Sequence, residues 1–394
     1  MKIGLLGFGV VGRGVYEITA AREDMQVSKV LCLEDITLPD AMPVKDYQQI
    51  LKDPEIDTVV ECMGGLHPAY EFVRAAMEAG KNVVTSNKAL VCTFYEELLP
   101  LAEKMGVKFR STAAVGGGIG WLSELERARR VQKINEVGGI MNGTCNYILD
   151  NMTRLGLGYD EALKQAQSLG YAEANPSTDV DGIDTWHKVI LSANIAFGVT
   201  LDKETVPVAG IRSIQAEDVA NFTAHGLVCK LISTGKRTET GFDAYVQPTL
   251  VKAGALEAAV PLNYNLITFV GDTSERMSFY GQGAGRYPTA YNVVQDLVDV
   301  LSGKGFYAPF GPGVRADNGE KLTWYVRGGW NGAVAESWNG AVVTEPVPVR
   351  EMHAWRKENP DAFIAAIRDE SFRRAGSDPA DPYRKCAWQN QRIR

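Results

Sequence analysis

The sequence lacks closely spaced cysteines. Its six cysteines are scattered singly along 394 residues, at Cys32, Cys62, Cys92, Cys145, Cys229 and Cys386. A zinc site with sulfur ligands or a disulfide framework would need paired spacing, and a chain of this length buries a large core without disulfides. We therefore expect reduced thiols in a cytoplasmic protein.

Two further absences narrow the choice of partners. No apolar run reaches the roughly 18 residues of a membrane span, and the apolar start, Met1 to Val15, is interrupted by five glycines. We interpret that start as a strand and a glycine turn, not as a signal peptide. Basic residues form no run beyond Arg127 to Arg130, and the net charge is −7. We therefore expect neither a membrane nor nucleic acid as a partner.

A glycine-rich turn follows the first predicted strand, Lys2 to Leu6. The residues of this turn are Gly7, Phe8, Gly9, Val10, Val11 and Gly12. Between a strand and a helix, the first glycine permits a tight turn, the second lets a pyrophosphate approach the backbone, and the third lets the helix pack on the strand. The helix N-terminus adds N–H donors for the phosphates. We predict a dinucleotide site here, and the alternative is a structural glycine turn.

Two carboxylates end the second predicted strand. Glu34 and Asp35 follow the apolar run Val27 to Leu33, about 20 residues beyond the glycines, where a carboxylate bonds to the adenosine ribose. The additional phosphate of NADP would be repelled at this place. We therefore expect NAD to be preferred over NADP. The alternative is a solvated turn before Pro39.

The predicted elements continue to alternate between strand and helix. A strand from Thr58 runs into a glycine loop, a helix follows from Pro68 to Ala79, and another strand begins at Asn82. This alternation is typical of a parallel, doubly wound α/β sheet, which binds ligands at the carboxyl ends of its strands. The loops there should line the cofactor crevice with Gly64, Gly65, Ser86 and Lys88.

The segment from Gly170 to Lys188 is unusually acidic and ends on a lysine. Pro176 and Gly182 break its first half into a loop, while the second half has the apolar periodicity of a helix. Residues four apart on a helix lie one above the other, so Asp184 and Lys188 share a face. The pair is either an exposed ion pair on a solvated face or, as its apolar flanks favour, part of a lined pocket.

Five motifs, in order over roughly residues 1 to 305, resemble those of homoserine dehydrogenases. They include Ser86 to Leu90, Gly139 to Leu149, Gly170 to Lys188 and Arg276 to Ala290. The resemblance implies a reversible, NAD(P)-dependent reduction of L-aspartate 4-semialdehyde to L-homoserine. It also implies a small amino-acid substrate as the partner.

The resemblance implies roles for individual residues as well. Because negative charge builds on the aldehyde oxygen during reduction, the site needs a proton donor and a cation. The implied catalytic residues are Lys188, Lys88 and Asp184, the last orienting Lys188. Substrate contacts are implied for Glu173, Asp179, Thr144 and Gly143, and cofactor contacts for Gly283 and Gly285.

The expected organisation is a Rossmann domain plus an α+β domain. The dinucleotide-binding domain should span residues 1–138 and be completed by about residues 283–320, while residues 139–282 bind substrate and form a homodimer contact. Arg276 to Ala290 is expected as a glycine loop that opens a helix from Ala290 to Leu301. The tail, 321–394, shows no clear βαββαβ pattern of an ACT domain and is expected as a cap of unknown role.

The chain departs from the family near a glycine run. Family members bind a monovalent cation through a glutamate and backbone carbonyls, whereas this chain has Thr112 in place of the glutamate and Gly120 in place of a proline. The carbonyls of Val115, Gly117 and Ile119 remain as candidate ligands for Na⁺ or K⁺. A neutral threonine, however, offers no charge to a hard cation.

Two other functions stay open from the sequence. The changes at Thr112 and Gly120 are compatible with an NAD-dependent oxidoreductase of another small amino-acid-like substrate. The second is a nucleotide-sensing module that binds cofactor without turnover. The joint presence of the lysines and carboxylates assigned to catalysis argues against such a module.

Overall fold

The computed structural model describes residues 1–305, 311 and 313–368. Its first sheet contains β1 (Lys2–Leu6), β2 (Gln26–Leu31), β3 (Met42–Val44), β4 (Thr58–Glu61), β5 (Asn82–Thr85) and β6 (Phe109–Arg110). All neighbours are parallel, in the order β3-β2-β1-β4-β5-β6. The strand order reverses between β1 and β4, where a doubly wound sheet binds its ligand. The predicted doubly wound sheet is confirmed.

Five helices accompany this sheet in the sequence. They are α1 (Val10–Ala20), α2 (Gln48–Leu51), α3 (Ala69–Glu78), α4 (Lys88–Met105) and α5 (Trp121–Ala128), and a 3₁₀ turn at Thr112–Ala114 precedes α5. Lys88 was expected at the end of a strand but begins α4. The side chain of Asn87 accepts a hydrogen bond from Leu90 N at 3.1 Å and so caps this helix.

The second sheet is mixed and larger. The strands in chain order are β7 (Ile134–Ile140), β8 (Thr200–Leu201), β9 (Leu227–Arg237), β10 (Phe242–Lys252), β11 (Tyr264–Gly271), β12 (Glu275–Gln282), β13 (Gly313–Val314), β14 (Lys321–Arg327), β15 (Val334–Trp338), β16 (Ala341–Thr344), β17 (Val347–Pro348) and β18 (Phe363–Arg368). The sheet order is β12-β11-β7-β9-β10-β18-β14-β16-β15; β17 pairs with β14, and β8 pairs separately with β13. Of the neighbours in this sheet, β10 and β18 run parallel. An α+β arrangement beside the doubly wound sheet was expected.

Helices of this second part pack on the mixed sheet or connect its strands. They are α6 (Gly143–Leu155), α7 (Tyr159–Ser168), α8 (Ser177–Val180), α9 (Ile183–Phe197), α10 (Ala216–Ala224), α11 (Arg286–Leu301) and α12 (Val349–Glu358), with a 3₁₀ turn at Lys203–Thr205. The predicted helix that carries Lys188 is confirmed as α9. Gly182 and Gly198, both with positive φ, bound it at its two ends.

The expected glycine loop from Arg276 to Ala290 is wrong in its first half. Residues 275–282 form β12, an antiparallel strand paired with β11, and α11 begins at Arg286, four residues earlier than expected. Strand β12 stays paired with β11 up to Gln282. The glycines Gly283 and Gly285 therefore belong only to the short connection between β12 and α11. Helix α11 then lies against α1, where a methyl group on Gly14 would be 2.9 Å from the Ala290 side chain.

Residues 321–368 add strands to the large sheet. Trp324, Trp330 and Trp355 belong to one apolar cluster, whereas Trp338 stacks on His225 with 3.7 Å between the ring centroids. Trp388 lies outside the described residues. None of the helices in the described part of the chain combines the length and apolar composition that a membrane crossing requires.

Candidate active site

Asp184 binds two lysines at once. Its Oδ2 lies 2.8 Å from Lys188 Nζ, one turn further along α9. Its Oδ1 lies 2.9 Å from Lys88 Nζ, the first residue of α4. The side chains of Asp184 and Lys188 are 6% and 10% exposed, so the solvated ion pair considered above is wrong. Lys88, at 34%, is the most accessible member of the cluster.

A side-chain amide joins this cluster to a second carboxylate. Asn142 donates through Nδ2 to Asp184 Oδ2 at 2.8 Å and to Asp179 Oδ1 at 2.7 Å. Its Oδ1 accepts from Cys145 N at 2.8 Å and so caps α6. Lys188 Nζ also donates to the carbonyl of Met141 at 2.7 Å. These bonds compensate for the burial of charged groups.

The electrostatics of the cluster keep Asp184 and Lys88 ionised. Burial opposes ionisation of Asp184, but Lys188 and Lys88 outweigh it and hold the pKa of its carboxyl well below the usual value. Asp184 in turn raises the pKa of Lys88. Burial, together with the charge of Asp184, raises the pKa of Asp179. The cluster therefore holds an ionised carboxylate and a stable ammonium group side by side.

The other expected substrate residues lie around this cluster. The Thr144 hydroxyl donates to the carbonyl of Tyr171 at 2.6 Å, which holds the acidic loop against α6. Gly143 packs so closely that a methyl group there would lie 2.6 Å from the carbonyl of Asn263. Glu173 is exposed on the same acidic loop, and its charge helps to raise the pKa of Lys88. The structure thus brings Glu173 into electrostatic range of the lysines.

A cleft of about 1030 Å³ opens over the glycine turn. Of the expected cofactor residues, its lining includes Gly7, Phe8, Gly9, Val10 and Glu34. Gly7 has φ 91°, and a methyl group on Gly12 would lie 2.1 Å from the Gly7 carbonyl oxygen. The absence of a side chain at Gly12 therefore lets α1 pack closely against the turn at Gly7, as the dinucleotide motif requires. Val11, which follows Val10 in α1, is half-buried.

Cations flank the expected ribose-binding carboxylates. Arg13 Nη2 lies 4.0 Å from Glu34 Oε2, and Lys45 Nζ lies 3.0 Å from Asp35 Oδ1. Lys45 also donates to the carbonyls of Leu33 and Glu34 at 2.6 Å. Sequence reasoning missed Lys45 because the tertiary fold, not a local motif, brings it to this loop.

A buried carboxylate organises the loop after β4. Glu61 Oε1 accepts from Met63 N at 2.7 Å and Gly64 N at 3.1 Å, while Oε2 accepts from Thr85 Oγ1 at 2.5 Å. Burial raises the pKa of Glu61. Asn87 Nδ2 donates to the carbonyl of Gly65 at 2.6 Å, which fastens this loop to the start of α4. Gly64 and Gly65 both have positive φ, and Ser86, between β5 and α4, donates its N–H to the Glu61 carbonyl at 3.3 Å. The only sequence signal for Glu61 was a charged residue ending an apolar strand.

Two glycine loops meet beside the cleft. A methyl group on Gly117 would lie 2.4 Å from the carbonyl oxygen of Gly283, and Gly118 N donates to the Gln282 carbonyl at 3.0 Å. Gly285, with φ 122°, directly precedes α11. Its first residue, Arg286, lines the cleft and forms a 2.9 Å ion pair with Glu17 of α1. Arg286, directly after the second glycine loop, therefore lines the cofactor cleft, whereas Gly283 and Gly285 are not among its lining residues.

Thr112 and two of the three candidate carbonyls for a cation, those of Gly117 and Ile119, already form hydrogen bonds. The Gly117 carbonyl accepts from Asn292 Nδ2 at 2.5 Å. Thr112 Oγ1 donates to Asp296 Oδ1 at 2.6 Å, and that carboxylate pairs with Arg110 at 2.8 Å. Val115 and Ile119 contribute only neutral carbonyls, and a monovalent cation would compete for Asp296 with a guanidinium. The residues present do not fit such a cation.

Comparisons with known proteins agree with this geometry. Residues 7–111 match the family model described as "Homoserine dehydrogenase, NAD binding domain", and residues 121–298 match "Homoserine dehydrogenase". Homoserine dehydrogenases of Synechocystis and Pseudomonas aeruginosa are each 38% identical; the matches cover 76% of this chain and 73% and 72% of those proteins. A crystal structure of a homoserine dehydrogenase from Thiobacillus denitrificans superposes with a TM-score of 0.82 at 29% identity, covering 94% of this chain and 98% of that one.

Proposed function

The chain belongs to the homoserine dehydrogenase family, and we propose that the Asp184 cluster carries out the family's reaction. The protein is an NAD(P)-dependent oxidoreductase that acts on a CH–OH group, converting L-aspartate 4-semialdehyde to L-homoserine reversibly. No observation favours a different substrate or a non-catalytic sensor. What carries the assignment to this cluster is the contact of one buried carboxylate with two lysines.

We assign the two lysines different tasks. A bound reduced nicotinamide supplies the hydride for C4 of the aldehyde. Lys188 has three N–H donors, of which two reach Asp184 and the Met141 carbonyl, so one is left for the reacting oxygen. Lys88, whose pKa Asp184 raises, acts as the standing cation beside the developing oxyanion. Lys188 gives the proton in reduction and takes it back in oxidation.

The acidic residues suit the amino-acid end of the substrate. Asp179 and Glu173 offer carboxylates to the substrate ammonium, and Asn142 holds Asp179 in place at 2.7 Å. Thr144 and Gly143, in the first turn of α6, shape the wall against which the substrate lies. Purified protein should oxidise NADH only when the semialdehyde is added, and reduce NAD with L-homoserine. Failure of both reactions in a folded protein would refute the activity.

We propose that NAD is preferred over NADP. Glu34 lines the cleft and Asp35 follows it, and these carboxylates repel a ribose phosphate. Arg13 and Lys45 are already paired with them, which limits their charge for that phosphate. Lys29 is engaged elsewhere, at 2.8 Å from Asp53. The preference should therefore be moderate.

We further propose that turnover needs no monovalent cation, because Thr112 and the Gly117 carbonyl are satisfied by protein groups. The expected division is residues 1–138 with 283–320, residues 139–282 and the tail 321–394. The packing of α11 on α1, through Gly14, supports joining the segment after residue 283 to residues 1–138, whereas the strands of residues 321–368 share a sheet with those of residues 139–282. A cytoplasmic location is also part of the proposal. The described cysteines are all free thiols, which suits a reducing compartment.

A homodimer completes the proposal. Strand β12 is an edge of the large sheet and leaves Met277 and Tyr280 40% and 53% exposed. Exposed edges and apolar side chains of this kind favour pairing with another chain. Light scattering of the purified protein should give twice the chain mass of 43.0 kDa. A monomer mass at micromolar concentration would refute the dimer.

A further inference from the structure

A second cleft, of about 650 Å³, lies on the other side of the acidic segment. Helix α12 forms one wall, and residues 204–212 and 315–318 form the others. None of the proposed catalytic residues lines it. The cleft is not accounted for by the dehydrogenase reaction.

The lining of this cleft is basic. Its charged side chains are Arg212, Arg315, Arg350, Arg356 and Lys357, against Asp181, Glu204 and Asp317. Five cations against three carboxylates give the lining a charge of +2, and Asp202, which pairs with Arg315 from outside the lining, reduces the local excess to +1, although the whole chain carries −7. Clefts lined by an excess of one sign of charge concentrate ligands of the opposite sign.

The charges at the rim are only partly compensated. Arg315 is 2.7 Å from Asp202, and Arg350 is 3.0 Å from Asp317, both on the protein surface. Exposed ion pairs of this kind are weak and exchange partners easily. Lys357 is exposed and makes no ion pair within the described residues. Its ammonium group is therefore available to a ligand.

The base of the cleft is neutral and firmly held. His353 is 7% exposed, and its Nε2 lies 2.9 Å from Gln247 Oε1. Because burial lowers the pKa of His353 to about 3, the ring carries no charge at neutral pH. Val208 and Ala209 complete this part of the lining. The cleft thus has a neutral floor and a cationic rim.

We propose that this cleft binds a small metabolite with at least two negative charges, carried by phosphate or carboxylate groups. The guanidinium groups at the rim provide planar, bidentate donors that match either anion. Lys357 adds a single flexible charge on the α12 side.

The cleft communicates with the acidic segment through Arg212. Its Nε and Nη2 donate to the two oxygens of Asp181 at 2.7 and 2.9 Å, and Nη2 donates to Ser177 Oγ at 3.0 Å. Ser177 begins α8, the helix that carries Asp179. An anion that competes for Arg212 loosens this attachment, so occupancy of the cleft should raise KM for the amino-acid substrate.

Calorimetry tests anion binding to this cleft while the cofactor and substrate sites are occupied. Protein is saturated with NADH and L-homoserine, which are both reduced and cannot react with each other, and is titrated with pyrophosphate or with succinate. These two probes separate phosphate from carboxylate ligands. Saturable heat with at least one probe is expected, and it should weaken in added NaCl. No saturable heat with either probe would overturn the site.

Two variants and one control locate the site. Lys357→Gln and Arg315→Gln should each weaken binding about five-fold, as expected for loss of one charge contact. Lys164→Gln, an exposed helix lysine outside the cleft, should leave it unchanged. Equal effects of all three, or none from the first two, would refute the location.

A kinetic measurement tests the coupling. At saturating NAD, the tighter-binding probe should raise KM for L-homoserine about two-fold or more in the wild type and less in Lys357→Gln. An unchanged wild-type KM under conditions of saturated binding would overturn the link through Arg212. Dehydrogenase activity without probe stays intact in either case, which separates this outcome from failure of the proposed function.

Discussion

Lys88 and Asp184 lie 2.9 Å apart although α4 follows a strand of the parallel sheet and α9 packs on the mixed sheet. Lys88 begins α4, beside the parallel sheet, and Asp184 is in the first turn of α9, on the mixed sheet. Their ion pair therefore joins the part of the chain that matches the NAD-binding family model to the helix that carries Lys188. The proposed reaction therefore depends on the relative position of α4 and α9.

Lys188→Ala should lower turnover by about 10² to 10⁴, the usual contribution of a positioned acid or base. Cofactor binding should persist, since Lys188 does not line the cofactor cleft. Steady-state kinetics measure kcat, and fluorescence titration with NADH measures cofactor binding. Lys164→Ala is the matched control. Near-normal turnover in a folded Lys188→Ala protein would refute its role, and lost NADH binding would move the lysine to the nucleotide.

Lys88→Met should lower kcat by about 10² to 10³, as does the loss of one group that stabilises an oxyanion. Lys88→Arg keeps the positive charge beside Asp184, so it should retain more activity than the methionine variant. Steady-state kinetics with the semialdehyde compare the two. Equal losses would show that position, rather than charge, is what Lys88 contributes.

The Glu34→Ala, Asp35→Ala double variant should shift cofactor preference toward NADP by about ten-fold. Two unit charges at about 4 Å repel by roughly 4 kcal/mol at an effective dielectric of 20, and salt reduces this to about 1 to 2. The measurement is the ratio of kcat/KM for NAD and NADP. Lys45→Ala should shift the ratio the other way. A wild type that favours NADP, or an unchanged ratio in the double variant, would contradict this explanation.

Activity should be the same within about two-fold in tetramethylammonium, sodium and potassium buffers of equal ionic strength. Asn292 already donates to the Gly117 carbonyl, and Asp296 is neutralised by Arg110. Asn292→Ala tests the cause, since it frees that carbonyl for a cation. A saturable activation of the wild type by Na⁺ or K⁺ alone would show that a cation site exists.

His353 should make the protein less stable in acid. Burial lowers its folded-state pKa to about 3, whereas an unfolded histidine titrates near 6.5. Below about pH 6.5 the unfolded chain binds one more proton, so this residue's contribution to stability falls by about 1.4 kcal/mol per pH unit toward pH 3. Urea unfolding at pH 7 and at about pH 5.5 should show a smaller loss in His353→Gln than in the wild type. Equal losses would contradict the assignment.

Local patterns were enough to predict much of this protein. The spacing of the glycines from Gly7 to Gly12 specifies a turn that other residues cannot make, and the apolar periodicity after Gly182 specifies α9. The shared face of Asp184 and Lys188 follows from helix geometry alone. Such features depend on residues within one or two turns of each other.

Contacts between distant segments were not predictable in the same way. The side chain of Asn142 joins Asp179 to Asp184, and Lys45 reaches the loop at Glu34, only because the fold brings them together. The segment at Arg276 was misread since an edge strand with alternating exposure carries a weak apolar signal. That Lys88 lies at the same site as Asp184 could be expected only from the resemblance to a known family, because 96 positions of sequence separate the two residues.

The place of β18 constrains how the protein is made. This strand, the last that the structure describes, lies between β10 and β14 inside the large sheet. Until residue 368 leaves the ribosome, β10 has an unpaired edge some 110 residues upstream. The large sheet therefore cannot close during most of synthesis, whereas the parallel sheet, complete by Arg110, can form early. The nascent chain carries the six parallel strands without α11, which packs against them only after Leu301 is made, and it exposes the edge of β10 through which shortened or stalled chains would aggregate.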